Sequence, residues 1–247
     1  MKQILSAMLL FSLVIGICSG AIIAVKPPQP IACWPGNGNT QDIIGGDNGT
    51  IVGNVRYRSD GFSKSFSFDG NSSFVAIPNA PAFLFQDQLT IELWMKPSTD
   101  NLMNNYKGLV SSDFFGIEIS NGYGGTIGVN FYTSSTAGAS WGETSSANGG
   151  GAVVKSGRWH HIAGVYDGNS VQLYVDGKPW GNSAACSGNI SPMLDGSYLC
   201  IGGEDGRTFC GCTDRYFQGL IGEVKIYNRP LTALEIQSEF KQGQFRK

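Results

Sequence analysis

Residues Arg158–Trp180 read RWHHIAGVYDGNSVQLYVDGKPW. His161, Ala163 and Val165 alternate with Ile162, Gly164 and Tyr166, and Val171, Leu173 and Val175 alternate with Gln172 and Tyr174. A period of two sends successive side chains to opposite faces of a strand. Asp167-Gly168 and Asp176-Gly177 punctuate the alternation. Asp-Gly suits a type I′ turn, whose two central residues both need positive φ. Glycine reaches that region without steric cost. The stretch therefore predicts strand, turn, strand, turn, strand, and with it an all-β antiparallel architecture.

The pattern continues on both sides. Ile51–Tyr57, Lys64–Phe68 and Phe74–Ile77 read as early strands, with Phe68-Asp69-Gly70-Asn71 as a turn. In Leu89–Met95, Leu89, Ile91, Leu93 and Met95 face one way and Thr90, Glu92 and Trp94 the other. Leu109–Ser111, Phe115–Ile119, Ile127–Tyr132, Leu199–Ile201 and Phe217–Tyr227 complete the series. Residues 133–151, rich in Ser, Gly, Ala and Asn around Trp141, predict a long surface loop. One helix is expected near the C-terminus. Thr232-Ala233-Leu234-Glu235 is a capping box in which the Thr232 hydroxyl accepts from the Glu235 amide and Glu235 reaches back. Leu231 and Ile236 stand at staple positions, and Phe240 is expected to pack on the sandwich.

A chain of 247 residues suits one β-sandwich with short tails. Its 35 glycines and 15% charged residues suit short strands joined by tight turns. The net charge of −2 and the lack of a Lys/Arg cluster leave no electrostatic footprint for nucleic acid or an anionic membrane. Lys2, the apolar run Met8–Ile17 and the small residues Cys18-Ser19-Gly20 read as a signal peptide cut before Ala21. The competing reading, a membrane anchor, meets a run too short to span comfortably. This divides the chain into a signal peptide (1–20), a proline-containing leader (21–30), a sandwich (31–240) and a C-terminal tail (241–247).

Export permits disulfides. Cys33, Cys186, Cys200, Cys210 and Cys212 remain after cleavage, an odd number. Cys186 with Cys200 or Cys210 is the first expected bridge, and Cys210 and Cys212 are too close to bridge each other easily. A zinc site is disfavoured because His160 and His161 have no ligand-like spacing to the cysteines.

Five segments recur in order: Lys64–Gly70 with Phe74–Pro78, Thr90–Pro97, Trp159–Gly168, Val171–Gly177 and Ile221–Leu231 (IGEVKIYNRPL). Together they resemble the laminin-G-like jelly-roll domain of the concanavalin A-like lectin/glucanase superfamily, over about residues 31–240. The resemblance implies two curved antiparallel sheets packed face to face, often with bound calcium. It does not imply one function, because the fold hosts lectins, glycosidases, lyases, sialidase accessory modules and adhesion domains. Gly222 stands where many relatives carry Asp before the last-strand Glu, which puts one metal ligand in question.

Glycosidic cleavage needs two carboxylates some 5–10 Å apart. The Glu-x-Asp-x-x-Glu run of the superfamily's glucanases is missing. Glu92 and Glu118 each stand alone on a strand, and Glu204-Asp205 falls in a Gly-rich loop, so each acid reads as a solvated or turn-stabilising group. Adjacent strand residues His160 and His161 point to opposite faces and cannot act together. Calcium takes six to eight oxygens. Asn39, Asp42, Asp47 and Asn48 offer oxygens on one loop, Asp69 lies in a turn, and Glu223 lies on the closing strand, near both by family geometry. The competing reading is Asx-turn chemistry. For a saccharide, whose apolar faces stack on aromatic rings, Tyr123, Trp141, Trp180, Phe209 and Tyr216 lie in or beside loops. Asn130, Asn148, Asn182 and Asp205 could take its hydroxyls. Trp180 and Phe209 could equally plug the ends of the sandwich, whereas the surroundings of Trp141 are too small and polar to bury it. Asn48, Asn71 and Asn189 lie in glycosylation sequons. The expected function is a secreted, non-catalytic module recognising extracellular carbohydrate, with calcium in a structural role. The alternatives are a module binding a cell-surface protein and a divergent glycoside hydrolase or polysaccharide lyase.

Overall fold

The computed structural model describes residues 14–18, 21–25, 28–60, 64–99, 106–121, 127–134, 141–143, 154–204 and 215–244. In chain order the strands are β1 (Val14–Cys18), β2 (Ala21–Val25), β3 (Ala32–Trp34), β4 (Thr50–Val52), β5 (Arg56–Arg58), β6 (Ser65–Asp69) and β7 (Phe74–Pro78). They continue as β8 (Leu89–Pro97), β9 (Lys107–Ser111), β10 (Phe115–Asn121), β11 (Ile127–Ser134) and β12 (Trp141–Glu143). The last are β13 (His160–Tyr166), β14 (Ser170–Val175), β15 (Lys178–Ala185), β16 (Tyr198–Ile201) and β17 (Gln218–Tyr227), before helix α1 (Ala233–Gln244).

Two antiparallel sheets form the sandwich. One has seven strands in the order β12-β11-β10-β9-β16-β7-β4. The other has eight: β15-β14-β13-β8-β17-β6-β5, with β3 also paired to β17. β1 and β2 make a separate ribbon whose register ends at Cys18↔Ala21, where cleavage is expected. Inner faces supply one core. Leu89, Ile91, Leu93 and Met95 of β8 are all fully buried in it, as the alternation requires. The sheets approach so closely at Gly164 that a Cβ there would lie 2.2 Å from the Phe131 ring.

The decisive hairpins form with one difference. Asp176 and Gly177 have φ of 50° and 76°, so the β14–β15 turn is the expected two-residue type I′. The β13–β14 loop has three residues, and only Gly168 turns left-handed (φ 93°). Asp167 instead accepts the Asn169 and Ser170 amides through Oδ1 (2.9 and 2.8 Å), which closes the longer loop. The capping box also forms: Glu235 N–H donates to Thr232 Oγ1 (3.3 Å) and Thr232 N–H donates to Glu235 Oε2 (2.8 Å). α1 starts after this cap and runs to Gln244, so the helix includes part of the expected tail. Phe240 stacks on Trp94 at 5.7 Å, and Leu231 and Ile236 join Ala163, Val165 and Tyr227 in a small second core. The outer face of β8 and β13 is thus covered by α1.

One expected loop is partly strand. β11 extends to Ser134, and Trp141–Glu143 pairs with it in the register Ser134↔Trp141. A polar, glycine-rich composition masked this short edge strand.

Candidate functional site

Each sheet carries a cluster of opposite charges on its outer face. On the seven-stranded sheet, Glu118 of β10 and Asn130 of β11 are register partners, as are Gly116 and Tyr132. Tyr132 donates its hydroxyl to Ser112 O (3.0 Å). Burial pushes this phenol well up, and Glu118 and Glu204 push it further, so it stays a neutral donor. Arg215 Nη1 lies 3.3 Å from Glu204 Oε1 and 3.6 Å from Glu118 Oε2. Its guanidinium sits 5.1 Å from the Tyr106 ring centroid, within cation–π range. Tyr106 is 41% exposed. Tyr216, next to Arg215 in the chain, stacks on Phe74 (6.3 Å, 22°). The backbone holds the chain on both sides of Glu204 and Arg215: Phe217 N–H donates to Gly202 O (3.0 Å) and Gly108 N–H to Arg215 O (3.1 Å).

The second cluster lies under α1. Lys225 Nζ contacts Glu92 Oε1 at 3.2 Å, Glu239 Oε2 at 2.5 Å and Glu223 Oε1 at 3.6 Å. Tyr227 donates its hydroxyl to Glu92 Oε1 (2.9 Å). His161 Nε2 stands 3.5 Å from Glu92 Oε2, an electrostatic contact rather than a well-formed hydrogen bond. Burial alone would raise the Glu92 carboxyl, but Lys225, His161 and Tyr227 outweigh it and hold it at about 2. Burial would lower the Lys225 ammonium, yet Glu92, Glu223 and Glu239 outweigh that and raise it. The adjacent histidines diverge as alternation demands: His160 Nδ1 lies 3.0 Å from Asp176 Oδ2, on the β14–β15 turn.

The expected metal residues are largely engaged by the chain itself. Asp42 is buried and accepts four backbone N–H groups: Cys33 (2.8 Å) and Ile44 (3.0 Å) at Oδ1, Gly45 (3.0 Å) and Asp47 (3.2 Å) at Oδ2. Asn48 Oδ1 accepts the Asp42 amide (3.0 Å), and Asn39 Oδ1 accepts the Gln41 amide (3.0 Å). Asp69 Oδ1 accepts from Asn71 N–H (3.0 Å), Ser72 N–H (3.4 Å) and the Ser73 hydroxyl (2.7 Å), bonds that offset burial and lower its carboxyl. Glu223 sits at a β-bulge with φ 51° and faces Lys225. Asp42, Asp47 and Asn48 share one loop. Asp42, with both oxygens filled, does not fit a metal ligand without losing backbone bonds.

The expected saccharide residues scatter. Tyr216 is half-buried on the seven-stranded face, and Asn130 is buried there. Trp180 is 39% exposed on edge strand β15, so it does not plug the sandwich, and Asn182 lies on the same strand. Trp141 begins β12. Tyr123, Asn148, Asp205, Phe209, Cys210 and Cys212 lie outside the described residues.

Two expectations are corrected. Glu92, Glu118 and Glu204 are not solvated acids: all three are buried, the first paired with Lys225 and the other two with Arg215. Cys186 and Cys200 form no disulfide with each other, and neither does Cys33 with them. Cys186 lies in the inter-sheet core with Sγ 3.4 Å from Thr133 Oγ1, whereas Cys200 packs with Phe74 and Ala76 on the outer face. The alternation of β16 puts Leu199 and Ile201 inward and Cys200 outward, so the sheet separates the two thiols. Sequence reasoning also passed over Tyr106, Arg215 and Lys225. Only Lys225 left a signal, as the one cation alternating with Val224 and Ile226 on a closing strand.

No helix among the described residues is long and apolar enough to cross a membrane. A comparison with curated protein sequences finds no match. Among solved structures, the chain is similar to domain 4 of AbnA, a GH43 extracellular arabinanase from Geobacillus stearothermophilus, in complex with arabinotriose. The identity is 20%, the TM-score 0.64, and 86% of this chain covers 98% of that one. It is also similar to the binding domain of Paraclostridial Mosquitocidal Protein 1 (18% identity, TM-score 0.63), with 86% of this chain spanning 51% of that one. A Trypanosoma rangeli sialidase in complex with a difluoro-KDN ligand matches at 15% identity and TM-score 0.61, with 96% of this chain spanning 37% of the sialidase. These likenesses establish the fold. A family model matches residues 69–237, and on that match the chain belongs to the concanavalin A-like lectin/glucanases superfamily.

Proposed function

We propose that the chain is a secreted, non-catalytic carbohydrate-binding module whose ligand lies on the outer face of the seven-stranded sheet. The observation that carries this reading is the exposed Tyr106 ring beside the half-buried Arg215, itself held by Glu118 and Glu204. A sugar ring presents an apolar C–H face to an aromatic side chain and hydroxyls to the charged groups around it. Pre-paired charges bind hydroxyls without reorganising, which lowers the ordering cost of recognition. The fold's likeness to an arabinanase domain holding arabinotriose supports the ligand class. Trp141, on neighbouring β12, is proposed as a further stacking residue.

The test is a glycan panel that includes arabinotriose, screened with the parent chain, Tyr106→Ala and Trp141→Ala. Binding weakened about tenfold by Tyr106→Ala, with unchanged melting, supports the reading. A blank panel together with capture of a purified cell-surface protein would replace it with the adhesion reading. A structural calcium ion in the 39–48 loop is not part of this reading. It would have to exchange with the amides that Asp42 now accepts, and a chelator-dependent melt tests it.

A second reading rests on Glu118 and Glu204 sharing Arg215. Paired acids are what a glycosidase uses, but one of them must hold a proton. Here both carboxylates already contact the one guanidinium. Release of reducing ends or of unsaturated sugar, lost in Glu118→Gln or Glu204→Gln, would establish catalysis.

A further inference from the structure

α1 covers the eight-stranded sheet near the C-terminal end of β17, at Lys225 and Tyr227. At the other end of that strand Gln218 is exposed. There it helps line an open groove of about 350 Å³, with Asn54, Arg56, Arg58, Ser67 and Asp69 around it. Arg56 and Arg58 belong to edge strand β5 and pair in register with Ser67 and Ser65, while Tyr57 between them packs inward on Phe66. Residues two apart on a strand share a face and are separated by about 7 Å. Both guanidiniums therefore stand on the outer face.

The charges of this groove are not balanced internally. Arg56 donates Nε–H to Asn54 Oδ1 (3.2 Å), and neither arginine forms an ion pair among the described residues. The lining carboxylate, Asp69, is turned to its own loop, where Oδ1 already accepts from Asn71, Ser72 and Ser73. The lining therefore sets two guanidiniums, with the Ser67 hydroxyl and the Gln218 and Asn54 amides, against the single Asp69 carboxylate. The Glu118–Arg215–Glu204 cluster has the opposite balance, with two carboxylates for one cation.

We propose that this groove is a second binding site, for an oxyanion carried on an acidic polysaccharide, either a sulfate ester or a uronate carboxylate. Arginine presents planar paired donors that match such oxyanions, and two of them flanking one groove suit a repeated charge on a polymer. Charged residues on an edge strand also discourage strand-to-strand aggregation. A charge of either sign serves that purpose, whereas only a positive one serves an oxyanion.

The experiment is calorimetric titration of the full chain, of Arg56→Gln/Arg58→Gln and of Arg56→Glu/Arg58→Glu. The probes are a heparin-derived hexasaccharide, a galacturonate hexamer and neutral arabinotriose. The expected result is binding of at least one acidic probe that weakens steeply between ~0.05 M and ~0.5 M salt. Affinity should fall about tenfold for each guanidinium removed and vanish on charge reversal. Melting and monodispersity should be unchanged in both variants. Whichever acidic probe binds identifies sulfate or carboxylate as the group read. Arg215→Met, which addresses the other sheet, should leave acidic-probe binding intact, so the two sites fail separately. The proposal is overturned if neither acidic probe binds the parent chain, or if the charge-reversed variant binds as the parent does.

Discussion

The two outer faces carry the same kind of cluster, a basic side chain held by carboxylates, in different surroundings. Lys225 has three acids and a helix above it, and its side chain is 15% exposed. Arg215 has two acids and an exposed tyrosine beside it, and its side chain is 21% exposed. The accessibilities are close, so the difference lies in what caps the cluster. Under α1 the ion network fixes where the helix docks, since Glu239 and Phe240 both come from α1. On the other sheet the cluster ends at an aromatic ring that faces solvent. Paired charge sealed by a helix is architecture, and paired charge that ends at an exposed ring is what the proposed glycan site would use.

The sharpest way to break this contrast is to remove each cation. Lys225→Met strands buried Glu92 and should cost about 3–5 kcal/mol, lowering the melting midpoint by on the order of 10 °C. The next largest effect is acid sensitivity. Glu92 is depressed in the folded state, so its contribution is full above its ordinary value of 4.5 and is lost as pH falls toward about 2. Loss on the order of 3 kcal/mol is expected across that window, followed by calorimetric melts at stepped pH, and Glu92→Gln should flatten the profile. Lys225 is raised, so its contribution is complete below its ordinary 10.5 and is lost only above it. Between those two windows Glu92 and Lys225 both keep their charges.

Arg215→Met should cost less than Lys225→Met, about 2 kcal/mol in chemical denaturation, because Arg215 contacts two acids at 3.3 and 3.6 Å rather than three and its side chain is the more exposed, yet should reduce glycan affinity about tenfold. A stability loss equal to that of Lys225→Met would erase the distinction drawn above. Thr232→Ala removes one cap bond and should loosen α1 by about 1 kcal/mol, read as faster amide exchange in the helix. Smallest of all, chelator should shift the midpoint by less than ~1 °C, because the Asp42 carboxylate is satisfied by amides. A larger fall would restore calcium to the 39–48 loop.

Much of the frame was legible along the chain. The β8 alternation separated Leu89, Ile91 and Leu93 from Glu92 and Trp94, and the structure puts the first set in the core and the second under α1. The capping box placed the start of α1. Less was legible of the clusters. Glu92 faces Lys225 because β17 lies beside β8, and their register shifts at the bulge between Gly222 and Lys225. No local pattern announces a register shift. Arg215 reaches Glu118 for a similar reason: β16 lies beside β9, bringing the end of one loop over a hairpin far earlier in the chain. Cys200 was assigned a partner by sequence proximity, and the pleat of one short strand sent it to the other side of the sheet.

Taken alone, the order of residues determined what depends on neighbours: which side chains share a face, where tight turns fall, and how the last helix begins. Those are consequences of backbone geometry and of bonds spanning a few positions. Tertiary structure alone decided which acid meets which base and which cluster is left open. Such pairings depend on strand order and on what packs above each sheet. Both arise from burying apolar faces across the whole domain, and neither leaves a periodic mark in the chain.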